Sequence, residues 1–154
     1  MRTKHALIPL VTLAVLCGQS AAAQAPALTW GPAPAVFPAG ARMAVLQGDP
    51  HKTELFTIRL EMPNGYTIAP HFHPTDEHVT VISGTFRVGM GDKVDATKMM
   101  TLPAGAFVTA GATQHHYAIA KGHTVVQVHA MGPFALTYVN VADDPSRKGK
   151  VARR

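Results

Sequence analysis

The chain has 154 residues, 47% of them apolar and 15% charged, with a formal charge of +5 and a single cysteine, Cys17. That length accommodates one domain with one core; the apolar content excludes a disordered chain, and one cysteine excludes a disulfide framework. The positive charge is a terminal feature, because Arg147, Lys148, Lys150, Arg153 and Arg154 lie in the last eight residues while residues 24–144 carry 7 basic and 9 acidic groups. No aromatic residue is interleaved with that basic run, which reads as a solvated tail over residues 143–154 and argues against nucleic acid as a partner.

At the other end, Arg2 and Lys4 precede an apolar run from Ala6 to Leu16, and Ala21-Ala22-Ala23 supplies a small-residue cleavage pattern before Gln24. Residues 1–23 are therefore expected to be a signal peptide. The apolar run is shorter than the roughly 20 residues of a membrane span, so no stable membrane anchor is expected. The expected location is periplasmic or secreted. Cleavage would remove Cys17 and leave a mature chain without a thiol. No consecutive arginine pair precedes the apolar run, which favours export unfolded and metal acquisition afterwards.

Residues 24–40 are rich in Ala and Pro and read as an extended leader, with Trp30, Val36 and Phe37 as apolar anchors. Short runs with strand character then recur between turn signals from residue 41 to residue 142. Arg42–Gln47 is the first, closed by Gly48-Asp49-Pro50. Phe56, Ile58, Leu60 and Met62 alternate with polar residues, as in a half-buried strand. Tyr66–His73, Glu77–Ser83, Thr85–Met90, Met99–Leu102, Ala106–Ala110, Gln114–Ile119, Thr124–Met131 and Phe134–Val141 follow. No segment sustains a helical period, no internal repeat is present, and an all-β barrel of one unit is expected.

The chemistry concentrates in one stretch. His71 and His73 stand two residues apart, so in extended backbone they share a face with alpha carbons roughly 6.5–7 Å apart. Glu77 can turn back toward them, and His116 from a distant strand can complete the set. Three imidazoles and a carboxylate suit a first-row divalent ion. The pattern Gly65-x5-His71-x-His73-x3-Glu77-x6-Gly84 resembles the first motif of the cupin superfamily with every fixed position filled. The second cupin motif is kept only in part: counted from Gly105 it places His116 at the ligand position, but Gly111, Thr113 and Ala120 replace a proline, a glycine and an asparagine. The resemblance spans residues 40–142. It implies a small antiparallel jelly-roll barrel, one divalent metal held by these side chains, and a homodimer; an extended leader adding a strand to a neighbour is one physical route to that dimer.

His115 competes with His116 for the last ligand position. Alternation favours His116, which shares a face with Ala118, and leaves His115 at the rim or surface. Glu77 is either a ligand, a hydrogen-bond acceptor for a ligand histidine, or a base over an open metal position. His78 should face outward, and His51 and His123 sit in turns. Met43, Val45, Ile58, Leu60, Val79, Val81, Phe86 and Val88 are expected to line the lumen, with Gln127, His129 and Tyr138 as its polar groups if their faces turn inward.

These residues point to an exported metal-binding protein that takes a small organic ligand or substrate at the barrel mouth. Zinc, copper, manganese, nickel and iron all remain open as the ion. The enzymatic expectation is a dioxygenase-type oxidoreductase with Glu77 as the catalytic group, with lyase or isomerase chemistry as an alternative. The other alternative is a barrel that binds a ligand or metal without catalysis. No phosphate-binding glycine loop or G-x-S-x-G element is present, and Ser83 and Ser146 lie in no nucleophile-like context.

Overall fold

The computed structural model describes residues 27–148, so the expected signal peptide and residues 149–154 of the basic tail lie outside the described residues. Within them the chain forms strands β1 (Gly31–Pro32), β2 (Arg42–Gln47), β3 (Leu55–Met62), β4 (Thr67–Phe72) and β5 (Glu77–Met90), followed by β6 (Met100–Pro103), β7 (Phe107–Ala110), β8 (His116–Met131) and β9 (Thr137–Tyr138). Helix is limited to single turns at Ala96–Lys98, Val141–Asp143 and Pro145–Lys148. Every strand pairing is antiparallel. The result is one all-β sheet curled into a barrel, the cupin architecture.

The central strand is β8. Its first half pairs with β4 through Ile68↔Ala118 and His71↔His116, and with the end of β5 through Met90↔His116. Its second half pairs with β3 and with the start of β5, through Ile58↔Val128 and Val79↔Val128. One long strand flanked on both sides over its whole length forces the sheet to fold over its own inner face. That face carries Ile58, Leu60, Val79, Val81, Phe86, Val88, Ala118, Val126 and Val128, all buried.

The two longest strands correct the sequence reading, which divided each of them in two. Strand β5 runs through Ser83 and Gly84 with a bulge, and there the inward parity changes from Val79 and Val81 to Phe86 and Val88. Gly84 makes the bulge possible. It has a φ of +76°, and a Cβ there would lie 2.3 Å from the His123 carbonyl oxygen. Strand β8 needs no such change: even-numbered residues face inward from His116 to Ala130.

Two further expectations fail. Val45 is 49% exposed instead of lining the lumen, because β2 lies on the margin of the sheet and a bulge between Val45 and Gln47 shifts its end. Phe134–Val141 is not a strand; only Thr137 and Tyr138 pair, with β4, and residues 134–136 curl across the barrel mouth. The leader is tied to the same mouth. Tyr138 donates its hydroxyl to the Val36 carbonyl at 2.9 Å, and Tyr66 donates to the Pro38 carbonyl at 2.5 Å. Burial pushes the Tyr138 hydroxyl up to about 12 and raises Tyr66 as well, so both stay protonated donors at neutral pH.

The bulge gives a comparison within one protein. Gly65→Ala has an equally unfavourable φ of +78° but meets no atom within 4 Å. It should cost about 1–2 kcal/mol. Gly84→Ala adds a backbone collision and should cost at least about 1 kcal/mol more. Urea unfolding of both variants measures this, and equal losses would contradict the role given to the bulge.

Candidate metal centre

Strand ends, not strand centres, supply the site. His71 lies near the end of β4, His73 just beyond it, Glu77 opens β5 and His116 opens β8. All three histidines are buried at 2–3% exposure. Their rings are close, with centroids 4.2 Å apart for His71 and His116, 5.0 Å for His71 and His73, and 5.2 Å for His73 and His116. One ligand atom from each lies within 4.8 Å of the others.

The hydrogen bonds decide which nitrogen is offered. Nδ1 of His71 lies 2.8 Å from the Ala69 carbonyl, Nδ1 of His73 lies 2.8 Å from the Ala135 carbonyl, and Nδ1 of His116 lies 2.9 Å from the Gln114 carbonyl. A carbonyl only accepts, so each Nδ1 carries the proton and each Nε2 of the neutral ring is left with a lone pair. This is the tautomer that a metal-ligating histidine requires, with its second nitrogen held by an outer partner. Nε2 of His73 and of His116 are buried and have no hydrogen-bond partner in the protein. Orphaned buried nitrogens are costly in a structural role, and a bound ion would satisfy them.

Glu77 completes the set. Its Oε2 lies 3.3 Å from His116 Nε2 and 3.5 Å from His73 Nε2. That places its carboxylate beside the two unpartnered nitrogens. Burial acts to raise the Glu77 carboxyl, but His116 and His73 beside it outweigh that and hold it well below the usual carboxylate range. Burial, with His116 and His73 adding to it, lowers His71 to about 3, so its ring stays neutral. For His116 burial acts downward too, but the Glu77 carboxylate prevails and raises it. Three nitrogen donors and one anionic oxygen fit a divalent first-row ion in charge and in kind.

The remaining sequence candidates lie elsewhere. His115 lies just before β8, with Nδ1 2.6 Å from Asp92 Oδ1 and its ring stacked on Phe72 at 5.1 Å. Gln127 and His129 are corrections. Both face outward from the barrel, Gln127 accepting from Arg59 Nε at 3.2 Å and His129 Nδ1 lying 2.8 Å from Thr57 Oγ1. Parity counted along an unbroken β8 from His116 reaches Val126 and Val128 on the inner face, and that count would have found them. Tyr138 is buried behind His71, ring centroids 6.2 Å apart, and its hydroxyl turns toward the leader instead of the chamber. His78 is half-buried on the outer face, with Nδ1 3.0 Å from Thr109 Oγ1.

Three contributors carry no sequence signal as site residues. The Ala135 carbonyl fixes His73, and a backbone atom leaves no trace in residue identity. Phe134 stacks on His73 at 4.2 Å and meets Phe56 edge-on at 5.2 Å. Phe37, expected only as an anchor of the leader, reaches the chamber wall. Apart from the three histidines and Glu77, the wall is wholly apolar. Among the described residues it carries no lysine or arginine and no hydroxyl or amide side chain.

Residues 15–137 match the family described as "Domain of unknown function (DUF4437)". No curated protein matches the sequence. Among solved structures, the polyketide cyclase RemF from Streptomyces resistomycificus is similar, with 16% identity, a TM-score of 0.56, and 71% of this chain and 78% of that one covered. An RmlC-like cupin from Shewanella frigidimarina gives 16% identity, a TM-score of 0.54, and coverage of 69% and 86%. KdgF from Halomonas sp. gives 17%, 0.51, and coverage of 68% and 86%. At these identities the likeness is one of fold.

His115 and His116 should differ in metal binding, because only His116 presents its Nε2 to the cluster. Adding zinc at about a hundredfold excess over Kd should stabilise the wild-type protein by about 2.7 kcal/mol. That gain should persist in His115→Ala, disappear in His116→Ala and be reversed by a chelator. Thermal unfolding measures it, and the same loss in both variants would contradict the assignment.

Proposed function

The chain belongs to the DUF4437 family and has the cupin fold, and from that premise we propose that it is an exported protein that binds one divalent transition metal through His71, His73, Glu77 and His116. The observation that carries this is the convergence of Nε2 atoms whose opposite nitrogens are committed to backbone carbonyls, in a wall otherwise free of polar groups. The signal-peptide pattern at residues 1–23 supports export, and a homodimer is part of the same proposal on the resemblance alone.

The finer reading is an oxidoreductase of the dioxygenase type acting on a small, largely apolar organic molecule. When bound, the metal supplies Lewis acidity or one-electron chemistry toward dioxygen. The protein's own share is separate from that. The imidazoles hold a fixed orientation through Ala69, Ala135 and Gln114, and the ring of Phe134 backs His73. Ile68, Val79, Val88, Val126 and Val128 exclude water, which strengthens every electrostatic contact inside. Among the described residues Glu77 is the only carboxylate on the chamber wall and the only group there besides the imidazoles able to accept a proton; Oε2 is the atom that faces them. The apolar wall suits a largely apolar substrate, and an anionic group on it would find a cation only at the metal itself, since no lysine or arginine lines the chamber among the described residues.

One observation favours a second reading, a barrel that binds metal without catalysis: the chamber beside the donors has only about 30 Å³. Elemental analysis of protein isolated from the exported fraction tests the common core of both readings. The expected result is about one transition-metal ion per chain, with a mature N-terminus at Gln24, and a loss of at least about tenfold in metal content for His71→Ala combined with His116→Ala, whose fold should persist. Unchanged metal content in the double variant would remove the site.

A further inference from the structure

Space limits what can reach the imidazoles more tightly than donor chemistry does. The space beside the imidazoles is small, about 30 Å³. Beside it lies a second cavity of about 280 Å³ under the leader. Four side chains, Phe37, Ile58, Phe134 and Leu136, line both, so a single layer of apolar groups divides the two spaces.

We propose that this second cavity binds an apolar group, an aromatic ring or a branched alkyl chain, of the molecule served by the metal centre, and that the Phe37 ring is the movable partition between them. This rests on the metal-centre reading given above. The cavity walls are apolar throughout except for His51, which is exposed and stands at the rim beside the exposed Pro34. Apolar cavities about half this size take up benzene. No lysine, arginine or carboxylate lines it, so an anionic group would gain nothing there.

Three of the four dividing residues, Phe134, Ile58 and Phe37, differ in how firmly they are held. Phe134 is clamped between the rings of His73 and Phe56. Ile58 lies within β3, paired on both sides by β2 and β8. Phe37 has no aromatic partner among the described residues and is only partly buried. Its backbone, by contrast, is fixed on each side, since the carbonyls of Val36 and Pro38 accept from Tyr138 and Tyr66. A pinned backbone carrying a loosely held ring is a partition that opens by side-chain rotation while the leader stays in place. Tyr66 and Tyr138 are then positioning residues for Phe37.

Toluene, which has no metal-binding atom, is the probe, followed by methyl carbon–proton NMR of the full-length protein with and without chelator. Toluene should shift the methyl signals of Val36, Met43 and Leu136 whether or not metal is present. Met43→Trp, which fills the cavity, should weaken binding by about tenfold or more. Phe37→Ala should extend the shifts to Val79, Val88 and Val126 in the metal chamber, and Phe37→Leu should do so to a lesser degree if the alanine variant folds poorly. Absence of shifts around the second cavity, or binding unaffected by Met43→Trp, would overturn the proposal. So would shifts in Phe37→Ala and Phe37→Leu that stay confined as in the wild type. Because the chelated protein is one arm, failure of toluene to bind with normal metal uptake sinks this inference alone. Toluene binding without metal uptake sinks the metal-centre reading instead.

Discussion

Three backbone carbonyls decide the character of this molecule. Ala69, Gln114 and Ala135 each take the Nδ1 proton of one histidine, and by doing so turn three Nε2 lone pairs toward one another inside an apolar wall. Bringing unpaired nitrogens together beside a carboxylate is unfavourable unless something positive is shared among them. The barrel must supply that convergence from sequence-distant pieces, and the antiparallel pairing of β4 with β8 does so directly, since His71 and His116 are registered neighbours. Two of the three carbonyls lie two residues before the histidine they hold. The third comes from the loop at 133–136, so closing the mouth and orienting His73 are one event.

The rest of the fold serves that register. A bulge at Gly84 lets β5 keep Val79 and Val81 inward at one end and Phe86 and Val88 inward at the other, so both halves of β8 are covered by apolar residues. The leader then lies across the mouth, tied by two tyrosines whose hydroxyls burial keeps protonated. Between those ties Phe37 sets the free volume near the donors. Chemistry at the centre and access to it are thus assigned to different parts of the chain, the donors to strand ends and the access to segments 33–38 and 133–136.

Much of this was legible in the residues, for physical reasons that can be named. Two histidines at i and i+2 must share a face of a strand, and the period-2 count that selects His116 over His115 is the same geometry. The alternation in Phe56–Met62 had only one reading. Legibility ended where the chain departs from local rules. Lys121-Gly122 and Ser83-Gly84 look like turns between strands, but long-range pairing carries β8 and β5 through both. With a break expected there, the face of Thr124–Met131 that carries Gln127 and His129 is not tied to that of His116, and the continuous strand turns both outward. Val45 failed for a related reason, a bulge that strand propensity does not encode. The run Phe134–Val141 is as apolar as a strand, but most of it is used to cover the mouth. The Ala135 carbonyl was beyond reach in any case, because main-chain acceptors have no residue identity.

The proposed centre requires three imidazoles and a carboxylate to share one ion. X-ray absorption of the metal-loaded protein measures this most directly, because imidazole rings give countable outer-shell scattering. The expected spectrum has three imidazole nitrogens and at least one oxygen at about 2.0–2.2 Å, and one imidazole fewer in His73→Ala. A spectrum with one imidazole or none, or one unchanged by that substitution, would contradict the shared centre on which the structure is built.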